Sequence, residues 1–220
     1  PTHGVTVNRL SGKTAIVTGA SRGIGASVAR AFAAEGANVV ISSRKIAGLT
    51  IVAEAINAEY PDSTRVKACH SGSLEQICDL VAFTEREVGI PEILVNNAAT
   101  NPYFGPLLDT PWSAWDKTFE VNLKGYFEAT KQVAKQLIKA GRPGSIINVT
   151  SVLGLTGAKL QGVYGMTKSA IISMTKTLGL ELGASDIRVN AIAPGLVDTR
   201  LAAAITTSED LTKLFTDRAG

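Results

Sequence analysis

Apolar positions along this chain fall into two alternating textures. Six short runs are nearly continuous in apolar character and rich in β-branched residues: "TAIVTG" at 14–19, "ANVVISS" at 37–43, "RVKACH" at 65–70, "EILVNNA" at 92–98, "GSIINVTS" at 144–151 and "IRVNAIAPG" at 187–195. Continuous runs suit strands buried on both faces, as in a parallel sheet covered by helices. Longer stretches rich in Ala, Leu, Glu and Lys lie between them. "GIGASVARAFAAEG" predicts a helix with Val28, Ala31 and Phe32 on one face and a stop at Gly36. "WSAWDKTFEVNLKGYFEATKQVAKQLIKAG" predicts one long helix that ends at Lys139 and Gly141. The alternation predicts an α/β fold over residues 1–220 as a single domain: a Rossmann-type, doubly wound parallel sheet of six strands, in the order 3-2-1-4-5-6, with right-handed crossovers. Ligands of such sheets bind beyond the carboxyl ends of the strands, so chemistry is expected there.

Composition narrows the partners. The 220 residues are 45% hydrophobic and 19% charged, enough to bury a sizeable core, and the net charge is only +3. Basic residues are scattered, which argues against nucleic acid. No run of eighteen apolar residues predicts a membrane span. Cys69 and Cys78 have no metal-site spacing, and His3 and His70 do not cluster with them. No metal site is expected, and the thiols read as reduced, in a cytoplasmic protein. The start "PTHGVTVNRLSGK" lacks the apolar core of a secretory signal.

Three features carry candidate chemistry. The first strand runs into "TGASRGIG", with Gly19 for a tight turn, Gly23 for close approach to a pyrophosphate and Gly25 for helix packing. The pyrophosphate would sit at the N-terminus of the following helix. The second strand ends at Ser43 and Arg44, where NAD-preferring sites place an acid. With Ser21 and Arg22 in the loop, this argues for NADP(H); a solvated loop arginine is the plainer reading of Arg44. Tyr164 and Lys168 stand at i, i+4 on one predicted helix face, with Ser151 at the end of the fifth strand. An ammonium beside a tyrosine favours the phenolate, which brings proton transfer toward neutral pH. A packed tyrosine beside a snorkelling lysine is the structural alternative.

"TGASRGIG", "NNAA", the asparagine of "FEVNLKG", the Ser151, Tyr164, Lys168 set and "NAIAPGLVDT" together resemble the short-chain dehydrogenases/reductases, over residues from about 12 to 200. The resemblance implies a catalytic tetrad of Asn122, Ser151, Tyr164 and Lys168. Tyr164 would be the general acid or base, and Ser151 would hold the substrate carbonyl. Lys168 would hold the nicotinamide ribose and lower the tyrosine pKa. Asn122 would anchor a water in a relay through Lys168. Cofactor contacts are implied for Gly19, Ser21, Arg22, Gly23, Ile24 and Gly25, then for Ser43, Arg44 and His70. Further along they are implied for Asn97, Ala98, Pro194, Gly195, Val197 and Thr199, with Tyr164 and Lys168 themselves. The implied activity is hydride transfer between NADP(H), with NAD(H) possible, and a small ketone or secondary alcohol. A homotetramer or dimer is implied, through the helices carrying Asn122 and Tyr164, with Phe119, Phe127 and Met174 as candidate apolar contacts.

Departures from the family pattern are Ala99 where a glycine is usual and His70 where an acid usually meets the adenine. "ISSRK" and "CH-x-G" resemble the NADP-dependent carbonyl and retinal reductase branch, a weaker likeness. The chain stops at "LFTDRAG", where the family continues with a helix and a seventh strand, so the C-terminal part is expected to be incomplete. Tyr103, Leu153 and Leu160 are candidate substrate contacts, as are Phe104 and Leu196, although each could equally be loop packing. A non-catalytic NADP(H)-binding member of the family and an NAD(H)-preferring alcohol dehydrogenase are the competing readings. A sugar-nucleotide epimerase carries a different glycine spacing and a larger C-terminal domain.

Overall fold

A computed structural model describes residues 8–157 and 159–197. Six parallel strands are β1 (Thr14–Thr18), β2 (Asn38–Ser43), β3 (Thr64–Ala68), β4 (Ile93–Asn96), β5 (Gly144–Val149) and β6 (Ile187–Ile192). They form one sheet in the order β3-β2-β1-β4-β5-β6, as the alternation of textures predicts. The registers Val17↔Ile41 and Val17↔Val95 centre β1 between its two neighbours. Strand residues alternate between faces, so Ala15 and Val17 enter one core and Ile16 the other.

The helices are α1 (Gly23–Ala34), α2 (Ile46–Glu59), α3 (Leu74–Glu87), α4 (Trp112–Phe119), α5 (Gly125–Ala140) and α6 (Gly162–Leu182). Ala29, Ala33, Leu49 and Ile56 bring α1 and α2 onto one face of the sheet. Ile77, Leu80, Val133 and Leu137 bring α3 and α5 onto the other, where Leu178 and Leu182 of α6 join them. The face of α1 against the sheet differs from the expected one. Gly25, Ala29 and Ala33 are buried, Val28 and Phe32 half-buried, and Ala31 is exposed. Small residues line the contact because the helix lies close to the strands. The predicted long helix also differs: Glu120–Lys124 forms a π-helical turn between α4 and α5, and Asn122 lies inside it. Such turns are a recurrent feature of functional sites.

Candidate active site

A cleft runs across the carboxyl ends of all six strands. One part, of about 190 Å³, is lined by the glycine loop after β1, by Ser43 and Arg44, by Cys69 and His70, and by Asn97 and Ala98. A second part, of about 140 Å³, is lined by Ser151, Tyr164, Lys168 and the segment Pro194, Gly195, Leu196, Val197 after β6. Ile24, Asn97 and Ala99 border both parts, so the two are halves of one trough.

The glycine loop forms the floor where the halves meet. Gly19 has φ +66°, and a Cβ there would stand 2.7 Å from the Ala98 Cα. At Gly25 a Cβ would stand 2.6 Å from Asn97 Nδ2 and 2.7 Å from the Gly19 carbonyl, so Gly25 packs behind the trough rather than lining it. Asn97 clamps the loop: Nδ2 donates to the carbonyls of Thr18 (3.0 Å) and Gly19 (3.1 Å). The Thr18 hydroxyl in turn accepts the N–H groups of Asn97 and Ala98. Ser21, Arg22, Gly23 and Ile24 all border the trough where α1 begins.

The outer end of the first part is rich in donors. Arg22 and Arg44 are exposed, Ser43 is half-buried, and its hydroxyl donates to the Lys45 carbonyl at 3.3 Å. His70 Nδ1 accepts the Gly72 N–H at 3.0 Å, and His70 Nε2 lies 3.0 Å from Lys117 Nζ. Burial, with Lys117 and Arg44 nearby, holds this imidazole below its usual pKa against the pull of Glu120. Lys117 escapes a reading of the sequence, because it comes from α4 and belongs to no motif of the strand ends. Cys69 is buried, which pushes its thiol up to about 11 and leaves it inert.

The second part is built on β5 and α6. The Lys168 side chain, 1% exposed, donates to the Val149 carbonyl at 2.8 Å. Thr150 donates its hydroxyl to the Lys168 carbonyl at 2.9 Å, and Ser169 donates to the Gly154 carbonyl at 2.7 Å. These bonds join the turn after Ser151 to α6. Deeper down, Asn96 donates to Asn148 at 2.9 Å and Asn148 to Thr175 at 2.9 Å, a buried amide chain from β4 through β5 to α6.

Burial and hydrogen bonding set the surroundings of Lys168, Tyr164 and Asn122. Among the described residues Lys168 has no carboxylate beside it, and burial lowers its pKa to about 7. Its ammonium form is therefore less favoured here than in water. Burial raises Tyr164 to about 12, and the Ser151 hydroxyl works in the opposite direction. Asn122, wholly buried, accepts the Thr100 N–H (2.8 Å) and donates to the Thr100 carbonyl (3.0 Å) and the Thr167 hydroxyl (3.2 Å). It ties the segment after β4 to α6 one residue before Lys168.

The candidate substrate residues divide. Leu153 and Leu196 line the trough at Tyr164. Leu160 lies instead in a neighbouring apolar groove with Leu107, Leu153 and Met166. Tyr103 turns back on its own loop, donating its hydroxyl to the Pro106 carbonyl at 3.2 Å, and lines neither part of the trough. Phe104 is exposed and also lines neither part. Thr199 lies outside the described residues. Gln161 and Asn101, which border the trough beside Tyr164, had no signal in the spacing of the motifs.

Residues 13–210 match the family described as short chain dehydrogenase. The chain belongs to the short-chain dehydrogenase family. It is 41% identical over 196 residues to dehydrogenase/reductase SDR family member 4 of Oryctolagus cuniculus, a match covering 89% of this chain and 75% of the relative. The fold superposes with a TM-score of 0.89 on a gluconate 5-dehydrogenase from Burkholderia cenocepacia in complex with NADP and tartrate, at 30% identity over 97% of this chain and 82% of the other. It superposes with a TM-score of 0.81 on an NAD+-bound xylitol dehydrogenase, at 32% identity over 85% and 71%. This short-chain dehydrogenase is accordingly an oxidoreductase acting on CH–OH or carbonyl groups. Among the described residues, no helix is long and apolar enough to cross a membrane.

Proposed function

We propose that this short-chain dehydrogenase uses NADP(H) to interconvert a ketone and a secondary alcohol, with Tyr164 moving the proton. The observation that carries the reading is the lining of the trough. Among the described residues, its outer part is lined by Ser21, Arg22, Ser43, Arg44, His70 and Lys117 and by no carboxylate. Its inner part presents Ser151, Tyr164 and Lys168 together. Gly19, with φ +66° and no room for a Cβ against Ala98, makes the tight turn of a loop whose backbone would cradle a pyrophosphate, and Gly25 packs behind it.

The nicotinamide supplies or accepts the hydride when the cofactor is bound. Arg22 and Arg44 would hold the 2′-phosphate, and the α1 N-terminus the pyrophosphate. Ser151 would donate its hydroxyl to the substrate carbonyl. Tyr164, held protonated at neutral pH, would give its proton to the developing alkoxide, which is the reducing direction. Lys168, near neutrality in pKa, can release and regain a proton beside it.

Relatives of similar likeness bind NADP in one case and NAD in the other, so kinship alone does not set the preference. The donor-rich end supports NADP(H). Charge-assisted bonds contribute roughly 1.5–3 kcal/mol each. One such bond surviving solvent screening gives a preference of about ten- to a hundredfold, at about 1.4 kcal/mol per tenfold. The test is kcat/KM with a ketone panel and both cofactors. Wild type should favour NADPH, and Ser43→Asp with Arg44→Ala should reverse the ratio. A wild type that favours NADH, or a ratio the double variant leaves unmoved, contradicts the reading.

The proposal extends to self-association through α5 and α6. Leu74, Leu123, Phe127, Ala170 and Met174 border an apolar groove there, and Phe127 is 46% exposed. Phe119 is not part of it, since its ring stacks on Trp115 at 5.3 Å.

A further inference from the structure

At the outer end of the trough two hydrogen-bond donors face each other. β2 and β3 are neighbours, and the Cys69 N–H donates to the Ser43 carbonyl at 2.9 Å, so Arg44 and His70 leave the sheet side by side. The Gly72 N–H donates to His70 Nδ1 at 3.0 Å. A backbone N–H can only donate, so Nδ1 carries a lone pair and the neutral ring keeps its one proton on Nε2. Lys117 Nζ stands 3.0 Å from that Nε2. A ring N–H therefore meets an ammonium. Glu120 Oε2, 3.5 Å from Nζ, serves the lysine side alone. Both groups are open to the trough: the Lys117 side chain is 38% exposed, and it lines the same part as Arg22, Arg44 and His70.

We propose that Lys117 is a third cation for the cofactor's 2′-phosphate, beside Arg22 and Arg44, and that its contact with His70 is the position it leaves when the phosphate arrives. The inference rests on the NADP(H) reading and adds to it a specificity-determining residue from α4, outside the strand-end motifs. A contact between two donors gains no full hydrogen bond, so little is lost when Nζ turns to an anionic oxygen. A lysine suits this role, because its ammonium is a point charge on a flexible stem and needs no fixed approach. A phosphate monoester carries roughly two negative charges and several acceptor oxygens, so it can take N–H groups from both arginines, from Lys117 and from His70 Nε2 together. A neutral purine ring does not balance three cations at one end of a cleft. Among the described residues no carboxylate lines this part to compete with the phosphate.

The probes are 2′,5′-ADP and 5′-AMP, which differ only in the 2′-phosphate. Each is titrated calorimetrically into wild type, Lys117→Met and Lys117→Arg. Methionine keeps an unbranched stem and removes the charge, while arginine keeps the charge. Lys117→Met should weaken 2′,5′-ADP about tenfold, the loss of one screened charge-assisted bond, and leave 5′-AMP within about twofold of wild type. Lys117→Arg should recover most of that loss. A lysine that only braced His70 or α4 would weaken both probes alike. Equal weakening of the two probes, an unchanged affinity for 2′,5′-ADP in Lys117→Met, or an arginine variant as weak as the methionine one overturns the proposal. The reading beneath it fails separately. A wild type that binds both probes equally contradicts NADP(H) preference and the role of Lys117 with it. A wild type and a Lys117→Met that prefer 2′,5′-ADP to the same degree contradict the role of Lys117 alone.

Discussion

Glu92 and Lys168 are both almost out of water, at 4% and 1% exposure, and the protein treats them in opposite ways. Burial alone would raise the Glu92 pKa. The Lys13 ammonium at 2.8 Å, the Thr14 N–H at 3.4 Å and Arg142 at 2.9 Å more than offset that, and the group is held below its usual range. Lys168 donates to the Val149 carbonyl and has no carboxylate partner among the described residues, so burial wins. The sign for Glu92 follows: its folded pKa lies below the unfolded one, so its contribution to stability is complete above the unfolded pKa of 4.5 and is lost as pH falls through the folded value. Glu92→Gln should lower stability at pH 7 by on the order of 1 kcal/mol, a modest figure because Lys13 and Arg142 are half exposed. It should also flatten the acid limb of Tm against pH. An acid limb identical to wild type would show that Glu92 is not its source. Spacing along the chain identified Tyr164 and Lys168 as a pair on one helix face. It could not give their protonation, because that depends on burial supplied by β5 and α5, including the Tyr126 ring 5.3 Å from Lys168 Nζ.

At the level of elements, the six strands were legible to within three residues, because strands buried on both faces write continuous apolar runs. The π turn was not. The hydrogen-bond pattern widens at 120–124 between two α-helices, and the sequence there reads as one helix throughout. Asn122 was singled out by resemblance, and its bonds to Thr100 and Thr167 emerge only when α6 packs against the turn. Lys117 and Gln161 were missed for a related reason. Each faces the trough from an element whose motif concerns something else, and only folding brings α4 to His70 and Asn101 to the start of α6.

For the whole molecule, strand order placed the chemistry before any side chain was located, since Arg44, His70, Asn97, Ser151 and Pro194 all follow strand carboxyl ends. Assembly is a claim at this same scale. Burying Phe127 and its groove between copies predicts sedimentation at micromolar concentration as a dimer or tetramer of the 23.0 kDa chain, and Phe127→Glu should shift it toward monomer. A wild type that sediments as a monomer contradicts that interface. The central claim remains that the two halves of the trough act as one site, with the cofactor held by one and the proton moved by the other. Tyr164→Phe separates them, because the ring that fills the wall is kept and the transferable proton is removed. The decisive measurement is NADPH oxidation with an accepted ketone, alongside NADPH binding by fluorescence titration, in wild type and Tyr164→Phe. The account predicts a loss in kcat of about 10²–10⁴-fold with NADPH affinity within a few-fold of wild type. Turnover by Tyr164→Phe within a few-fold of wild type would contradict it.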